Sequence, residues 1–302
     1  MNLRLRGIVI PAPTAFLQNG ELDEEVTREV LEFYVERKVH GIFLLGSFGQ
    51  GMAMRTDQRK RAAEIAIDQV KGRVPVVIQV GATEPYTAVE LAEHAKKIGA
   101  DAIGMVPPYY YSDHTEYEIF EHFRIVDRAV GMPILLYNNE KYCGINITPE
   151  TMGRLVKEVP RIIGVKLAFT DLERAMRYIE MLPSDFAVFA LPSTLIPGLL
   201  WGVKGTINPP MSAFPELGLE LTQLVDEGRL TEALHLQKKI LTLLKRLRRL
   251  AVTFGKSVHC EALRARGFRI KHFPRYASRS VGENEREEIR QALAEAGVPL
   301  DH

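Results

Sequence analysis

Residues 133–168 read PILLYNNEKYCGINITPETMGRLVKEVPRIIGVKLA. PILLYN (133–138) and IIGVKLA (162–168) are short, continuous aliphatic runs, and residues 149–158 between them follow a helical period. An apolar run that does not alternate is how a strand reads when helices cover its outer face and a core fills the inner one. The unit is therefore strand, helix, strand. It recurs in both directions along the chain. Upstream lie GIVIPA (7–12), GIFLLG (41–46), PVVIQVG (75–81) and DAIGMV (101–106); downstream lie FAVFA (186–190) and GTIN (205–208). Helical patterns fall between them at 23–38, 55–70, 84–98, 114–129, 149–158, 171–181 and 193–201.

Eight strands with seven intervening helices predict an α/β fold, a closed (β/α)8 TIM barrel, in preference to an open doubly wound sheet. Past residue 212 the strand runs stop. Residues 215–227, 229–252, 256–266 and 283–296 read as helices: one closes the barrel and the rest form a C-terminal helical extension. We therefore expect barrel strands and helices over 1–212, and the closing helix and extension over 213–302, in a single structural unit. The Pro-Pro pairs at 107–108 and 209–210 directly follow strands, so they shape loops rather than link domains.

Composition sets the bounds. Of 302 residues 46% are hydrophobic and 25% charged, which excludes a disordered chain. A net charge of +1 gives no reason to expect nucleic acid as a partner. No apolar run is long enough for a membrane span. MNLRLRG lacks the apolar core of a signal peptide, and the distant Cys143 and Cys260 fit neither a disulfide framework nor a zinc pattern. A cytoplasmic location is the expectation.

In a parallel barrel, chemistry comes from the C-terminal ends of the strands and the loops after them. Those positions supply Ser47 in GSFGQG, Gln79, the run Tyr109, Tyr110 and Tyr111, then Tyr137, Asn138, Lys166 and Asn208. Lys166 stands out among Ile162, Ile163, Val165 and Leu167. Lysine is seldom buried unless paired. Desolvation lowers its pKa, and free amine near neutral pH is what a Schiff-base nucleophile requires. The bland alternative is a lysine that pairs with a carboxylate or reaches out to solvent. Tyr137 ends the neighbouring strand, within reach of a group bound at Lys166; its plain alternative is a hydroxyl capping the barrel rim. GSFGQG has the spacing G-x-x-G-x-G rather than that of a dinucleotide loop, and its glycines read as letting backbone N–H groups face a carboxylate. KRLRRL (245–250) reads as a solvated helix face, and His259–Cys260 as core or rim residues.

At these residues the chain resembles the dihydrodipicolinate synthase/N-acetylneuraminate lyase family of class I aldolases. The resemblance spans the whole chain, through GIVIPAPTAF, LLGSFGQ, VPPYYY, LLYN and IIGVK in order. It implies a Schiff-base-forming lyase acting on pyruvate or another 2-oxo acid, making or breaking a C–C bond with an aldehyde or sugar acid. It implies no metal and no organic cofactor. Lys166 falls at the Schiff-base position, Tyr137 at the proton-shuttling tyrosine, and Ser47 at the hydroxyl that relays protons and holds the pyruvate carboxylate. Phe48 would bind that carboxylate through its backbone N–H. Tyr110 falls where a tyrosine reaches into a neighbouring subunit, which implies a homo-oligomer, a dimer of dimers. Ile207 sits where a backbone carbonyl meets substrate.

The chain also departs from the pattern. Phe48 replaces a small hydroxyl residue, Gln50 a glutamate, and Leu167 a residue that is polar in many members, while ALPST (190–194) replaces a polar segment. Tyr142 stands where the synthases carry an arginine for the aldehyde's carboxylate, and tyrosine cannot form that two-pronged contact. Dihydrodipicolinate synthase activity is therefore expected to be weak or absent. The apolar replacements, with Pro192, hint at a less polar second substrate. Two other readings remain at this point: a 2-keto-3-deoxy sugar acid dehydratase on the same scaffold, and a barrel that binds a 2-oxo acid without catalysis.

Overall fold

The computed structural model describes residue 3 and residues 5–168, 171–271 and 273–300. Eight parallel strands close on themselves in chain order: β1 (Gly7–Pro11), β2 (Gly41–Leu44), β3 (Val76–Gln79), β4 (Ala102–Met105), β5 (Ile134–Asn138), β6 (Ile162–Leu167), β7 (Ala187–Ala190) and β8 (Gly205–Thr206). β8 pairs back onto β1 through Gly7 and Ile8. This is the TIM barrel that the alternating pattern predicts.

The outer ring is α1 (Glu24–Glu36), α2 (Thr56–Val70), α3 (Pro85–Lys97), α4 (Glu116–Val130), the single turn α5 (Glu140–Cys143), α6 (Pro149–Glu158), α7 (Leu172–Met181) and α8 (Leu195–Trp201). Their starts follow local chemistry. Asp23 caps α1, Thr115 and Glu118 form a capping box on α4, and Pro85 and Pro149 occupy first-turn positions where no N–H is needed.

Alternation along the strands sorts the core into two layers. Val9, Phe43, Val77, Leu135, Ala187 and Phe189 fill the barrel. Ile8, Ile42, Ile78, Leu136, Val165 and Val188 face the helices. Gly104 has no room for a side chain, because a Cβ there would lie 2.6 Å from the Phe43 ring. Its absence admits that ring to the barrel centre.

Two strand ends differ from the sequence reading. β2 stops at Leu44 because Leu45 turns to φ 59, starting the GSFGQG loop. β8 has two residues, since Pro209 and Pro210 bring no N–H and the chain tightens into a 3-10 turn at Pro209–Ser212.

The barrel-closing helix is α9 (Pro215–Asp226), held close to β1 at Gly218, where a Cβ would be 3.0 Å from Ile8 Cδ1. Then come α10 (Leu230–Phe254), α11 (Ser257–Arg264) and α12 (Glu283–Glu295). KRLRRL lies on α10 and is the solvated face its pattern predicts, with Lys245, Arg248 and Arg249 exposed and Leu247 and Leu250 buried. Arg246 pairs with Glu295 and Arg249 with Glu288, both on α12, whereas Arg248 lines the cavity at the barrel mouth. No described helix is long and apolar enough to cross a membrane.

Candidate active site

The C-terminal ends of the strands surround a cavity of about 360 Å³, and Lys166 lines it. Val165 and Leu167 belong to the layer under the helices, so the pleat turns Lys166 between them into the barrel. Register places it level with Tyr137 on one side and Phe189 on the other. Its side chain is 6% exposed. The amine sits over the Tyr137 ring, with Nζ 3.2 Å from the ring centroid and 6.0 Å from that of Phe43.

Two effects compete at that amine. A ring face favours the ammonium by about 0.5–2 kcal/mol. Full burial opposes it by removing the water that solvates the charge. Burial wins, and the pKa of Lys166 falls well below the ordinary lysine value. The nearby Cys143 pulls weakly the other way, while its own thiol is pushed up to about 12 by burial. Among the described residues, Lys166 thus neither reaches out to solvent nor sits beside a carboxylate that holds its charge.

The Tyr137 hydroxyl is buried beside it and accepts from Asn139 Nδ2 at 2.6 Å. Burial raises its pKa, partly offset by hydrogen bonds with Ser47 and Asn139, so the phenol is protonated at rest. Asn138, at the strand end, points the opposite way. It fixes the loop by bonding Ile147 O at 2.8 Å and the Tyr178 hydroxyl at 2.9 Å. Alternation makes Asn139, not Asn138, the site residue, a distinction the strand pattern itself carries.

Ser47 and Phe48 both line the cavity. Phe48 is also packed under the C-terminal segment, its ring centroid 5.3 Å from Phe273 and 6.0 Å from His259. The glycines of GSFGQG have a packing role: a Cβ on Gly49 would meet Ala12 O at 2.9 Å, and one on Gly51 would meet Leu45 O at 2.3 Å. Gln50 is buried and its Oε1 accepts from Arg275 N at 2.7 Å, which ties the C-terminal segment to the mouth.

Tyr142 lines this cavity and an adjoining one of about 290 Å³, which also takes Ser47, Gln79, Tyr109 and Tyr276. Ile207 is buried in the barrel interior, and Asn208 and Pro209 after it face the cavity. Tyr110 is not brought to Lys166 within one chain. It is 82% exposed and holds φ 81, a region seldom used by bulky side chains.

The sequence reading missed the cations contributed by the C-terminal helices. Lys256 precedes α11 and donates to Ser47 O at 2.8 Å. Arg248 and His259 line the same cavity, and His259 is pushed down to about 4 by burial, with Arg248 and Lys256 adding to it. The only local signal was Gly255, a helix break with a lysine directly after it.

Residues 4–296 match the dihydrodipicolinate synthetase family. The chain belongs to that family. Among its relatives, the probable 2-dehydro-3-deoxy-D-pentonate aldolase YjhH of Escherichia coli K12 is 34% identical over 244 residues, 80% of this chain and 81% of that one. The 4-hydroxy-tetrahydrodipicolinate synthase of Nitratidesulfovibrio vulgaris is 33% identical over 239 residues, 79% and 81% of the two chains. In structure, YagE of E. coli K12, a prophage protein of the dihydrodipicolinic acid synthase family solved with pyruvate, superposes with a TM-score of 0.89 at 25% identity, covering 98% of this chain and 100% of that one. As a member of the dihydrodipicolinate synthetase family the chain is an enzyme, a carbon–carbon lyase of the aldolase kind.

Proposed function

We propose that the chain is a class I aldolase in which Lys166 forms a Schiff base with pyruvate or a closely related 2-oxo acid, making or breaking a C–C bond to an aldehyde. The observation that carries this is a buried amine over the Tyr137 ring, facing a cavity at the C-terminal ends of the strands. The likeness to YagE, solved with pyruvate, supports the choice of 2-oxo acid.

The pyruvate carboxylate docks on the Ser47 hydroxyl and the backbone N–H groups of Ser47 and Phe48. The neutral Lys166 amine adds to the keto carbon. Tyr137 passes a proton to the departing hydroxyl, water leaves, and a protonated imine remains. In the cleavage direction, the substrate hydroxyl gives its proton to the relay and the C–C bond breaks. The electron pair moves into the imine to give an enamine, and an aldehyde is released. Protonation of the enamine carbon and hydrolysis return pyruvate and the free amine. Asn139, which donates to the Tyr137 oxygen, positions the relay.

Tyr110 acts in a neighbouring subunit of a homo-oligomer. Its exposure and its unusual φ suit a side chain held outward for a partner, since such backbone strain persists only where something requires it. The synthase reaction is disfavoured. Aspartate semialdehyde brings an ammonium group, and among the described residues no Asp or Glu lines either cavity to receive it.

Borohydride reduction with pyruvate, followed by peptide mass mapping, tests the reading. We expect one pyruvate-derived adduct, on Lys166, absent from Lys166→Ala. Pyruvate binding without that adduct would overturn it.

A further inference from the structure

The cavity over Lys166 is also lined by Lys141, Arg248 and Lys256, with no carboxylate in the lining among the described residues. Elsewhere on this helical face the arginines meet acids. On α10 itself, Arg246 pairs with Glu295 and Arg249 with Glu288. Arg248, between them, turns the other way, toward the cavity, and has no carboxylate partner among the described residues. A cleft lined by charge of one sign focuses its field and raises the local concentration of ligands of the opposite sign.

Lys256 is the most structured of the three. It is half-buried and is held by one bond to Ser47 O at 2.8 Å. Its Nζ lies 4.9 Å from the centroid of the Tyr142 ring and 6.0 Å from that of Tyr276. An ammonium has three donors, so two remain for a ligand. The two aromatic faces restrict the amine to the mouth, where it borders both the Lys166 cavity and the adjoining one. Tyr142 thus offers a ring face to this amine, and the positive charge at the mouth comes from the C-terminal helices.

We propose that Lys256 and Arg248 are specificity-determining residues that bind an anionic group, a carboxylate or a phosphate, at the distal end of the aldehyde partner. The proposal rests on the Schiff-base reading of Lys166. It replaces the expectation of a less polar second substrate. Phe48 borders the cavity, but the Leu167 side chain belongs to the layer under the helices, and Pro192 is absent from the lining, its carbonyl accepting from Gln237 at 3.0 Å.

The test is aldol addition of pyruvate to three aldehydes: glyceraldehyde, glyceraldehyde 3-phosphate and succinic semialdehyde. The readout is the ratio of kcat/KM for the better anionic aldehyde to that for the neutral one. We expect at least 10-fold in wild type, with whichever anion wins identifying the group. In Lys256→Met/Arg248→Gln we expect the ratio to fall at least fivefold. A ratio under 10 in wild type, or a smaller fall in the double variant, overturns the proposal. Arg248→Gln alone, at an exposed position that leaves the fold intact, is expected to lower the ratio at least twofold; a smaller effect counts against Arg248. If Lys256 served the pyruvate carboxylate instead, the variant would raise the pyruvate KM alike with every aldehyde and leave the ratio unchanged, which also overturns it. Borohydride trapping with pyruvate alone is run in parallel. Loss of the adduct in wild type sinks the Schiff-base reading, whereas a normal adduct with no anion preference sinks only this one.

Discussion

Tyr137→Phe separates the two jobs that one side chain performs. The ring lies under the amine, with Nζ 3.2 Å from its centroid, and the hydroxyl holds hydrogen bonds with Asn139 and Ser47. Phenylalanine keeps the ring, so Lys166 stays desolvated and uncharged. It removes the oxygen, and with it the proton relay. A positioned acid–base group contributes about 10²–10⁴ in rate. Ser47 remains and passes some protons, so the expected loss in kcat is about 100–1000-fold, or about 2.7–4.1 kcal/mol of barrier. The fold loses about 1–3 kcal/mol, because the Asn139 amide is left with a buried donor and no acceptor. The assay pairs steady-state turnover with borohydride trapping followed over time. The rate of adduct formation should fall with turnover, while its final extent stays complete, because dehydration to the imine is slowed but its equilibrium is not moved. Lys166→Ala should abolish both. Turnover within threefold of wild type would refute the relay. A final adduct as low as that of Lys166→Ala would refute the separation of ring from hydroxyl.

Three further outcomes follow from the same geometry. Because burial lowers the Lys166 pKa, the rate of imine formation should rise with pH and level off well below pH 10.5, and Cys143→Asp should move the rise to higher pH; a rate still climbing at pH 10.5 would contradict this. Lys166→Met should be more stable than wild type at pH 7 by about 1 kcal/mol or more in urea unfolding. The unfolded lysine binds a proton that the folded amine does not, so wild-type stability rises with pH between the lowered and ordinary values, and the gap should close toward pH 10.5. Phe48→Ser, which restores a small hydroxyl residue, should cost about 3–5 kcal/mol of stability in urea unfolding by emptying the space beside Phe273 and His259, and should not produce turnover of aspartate semialdehyde.

What the sequence disclosed follows from what its patterns measure. Continuous aliphatic runs report burial on both faces, and eight of them with helices between leave few closures other than a barrel. The same logic found Lys166, since a charged residue inside such a run must face one layer or the other, and found Tyr137, which register places directly beside it. At the end of the same strand the sequence reading named Asn138 and missed Asn139, although counting by twos from Tyr137 puts Asn139 on the inward face. Lys256 and Arg248 were hidden for a different reason. A helical period gives the angle of each side chain about its own axis and says nothing about which neighbour stands at that angle. In KRLRRL, positions 246 and 249 are three apart and share a face, and α12 happens to bring its glutamates there. Position 248 is rotated about 100° from 249, since 3.6 residues make a turn, and only the docking of α10 across the barrel end makes that direction the mouth. The division is therefore physical. The floor of the site, where chemistry on the 2-oxo acid takes place, is written in strands whose neighbours are fixed by barrel closure. The rim, where the second substrate is chosen, is written in helices whose partners depend on long-range packing. Members of one family can share the first and differ in the second without any change in strand pattern, so the reaction class is easier to read from this chain than its aldehyde.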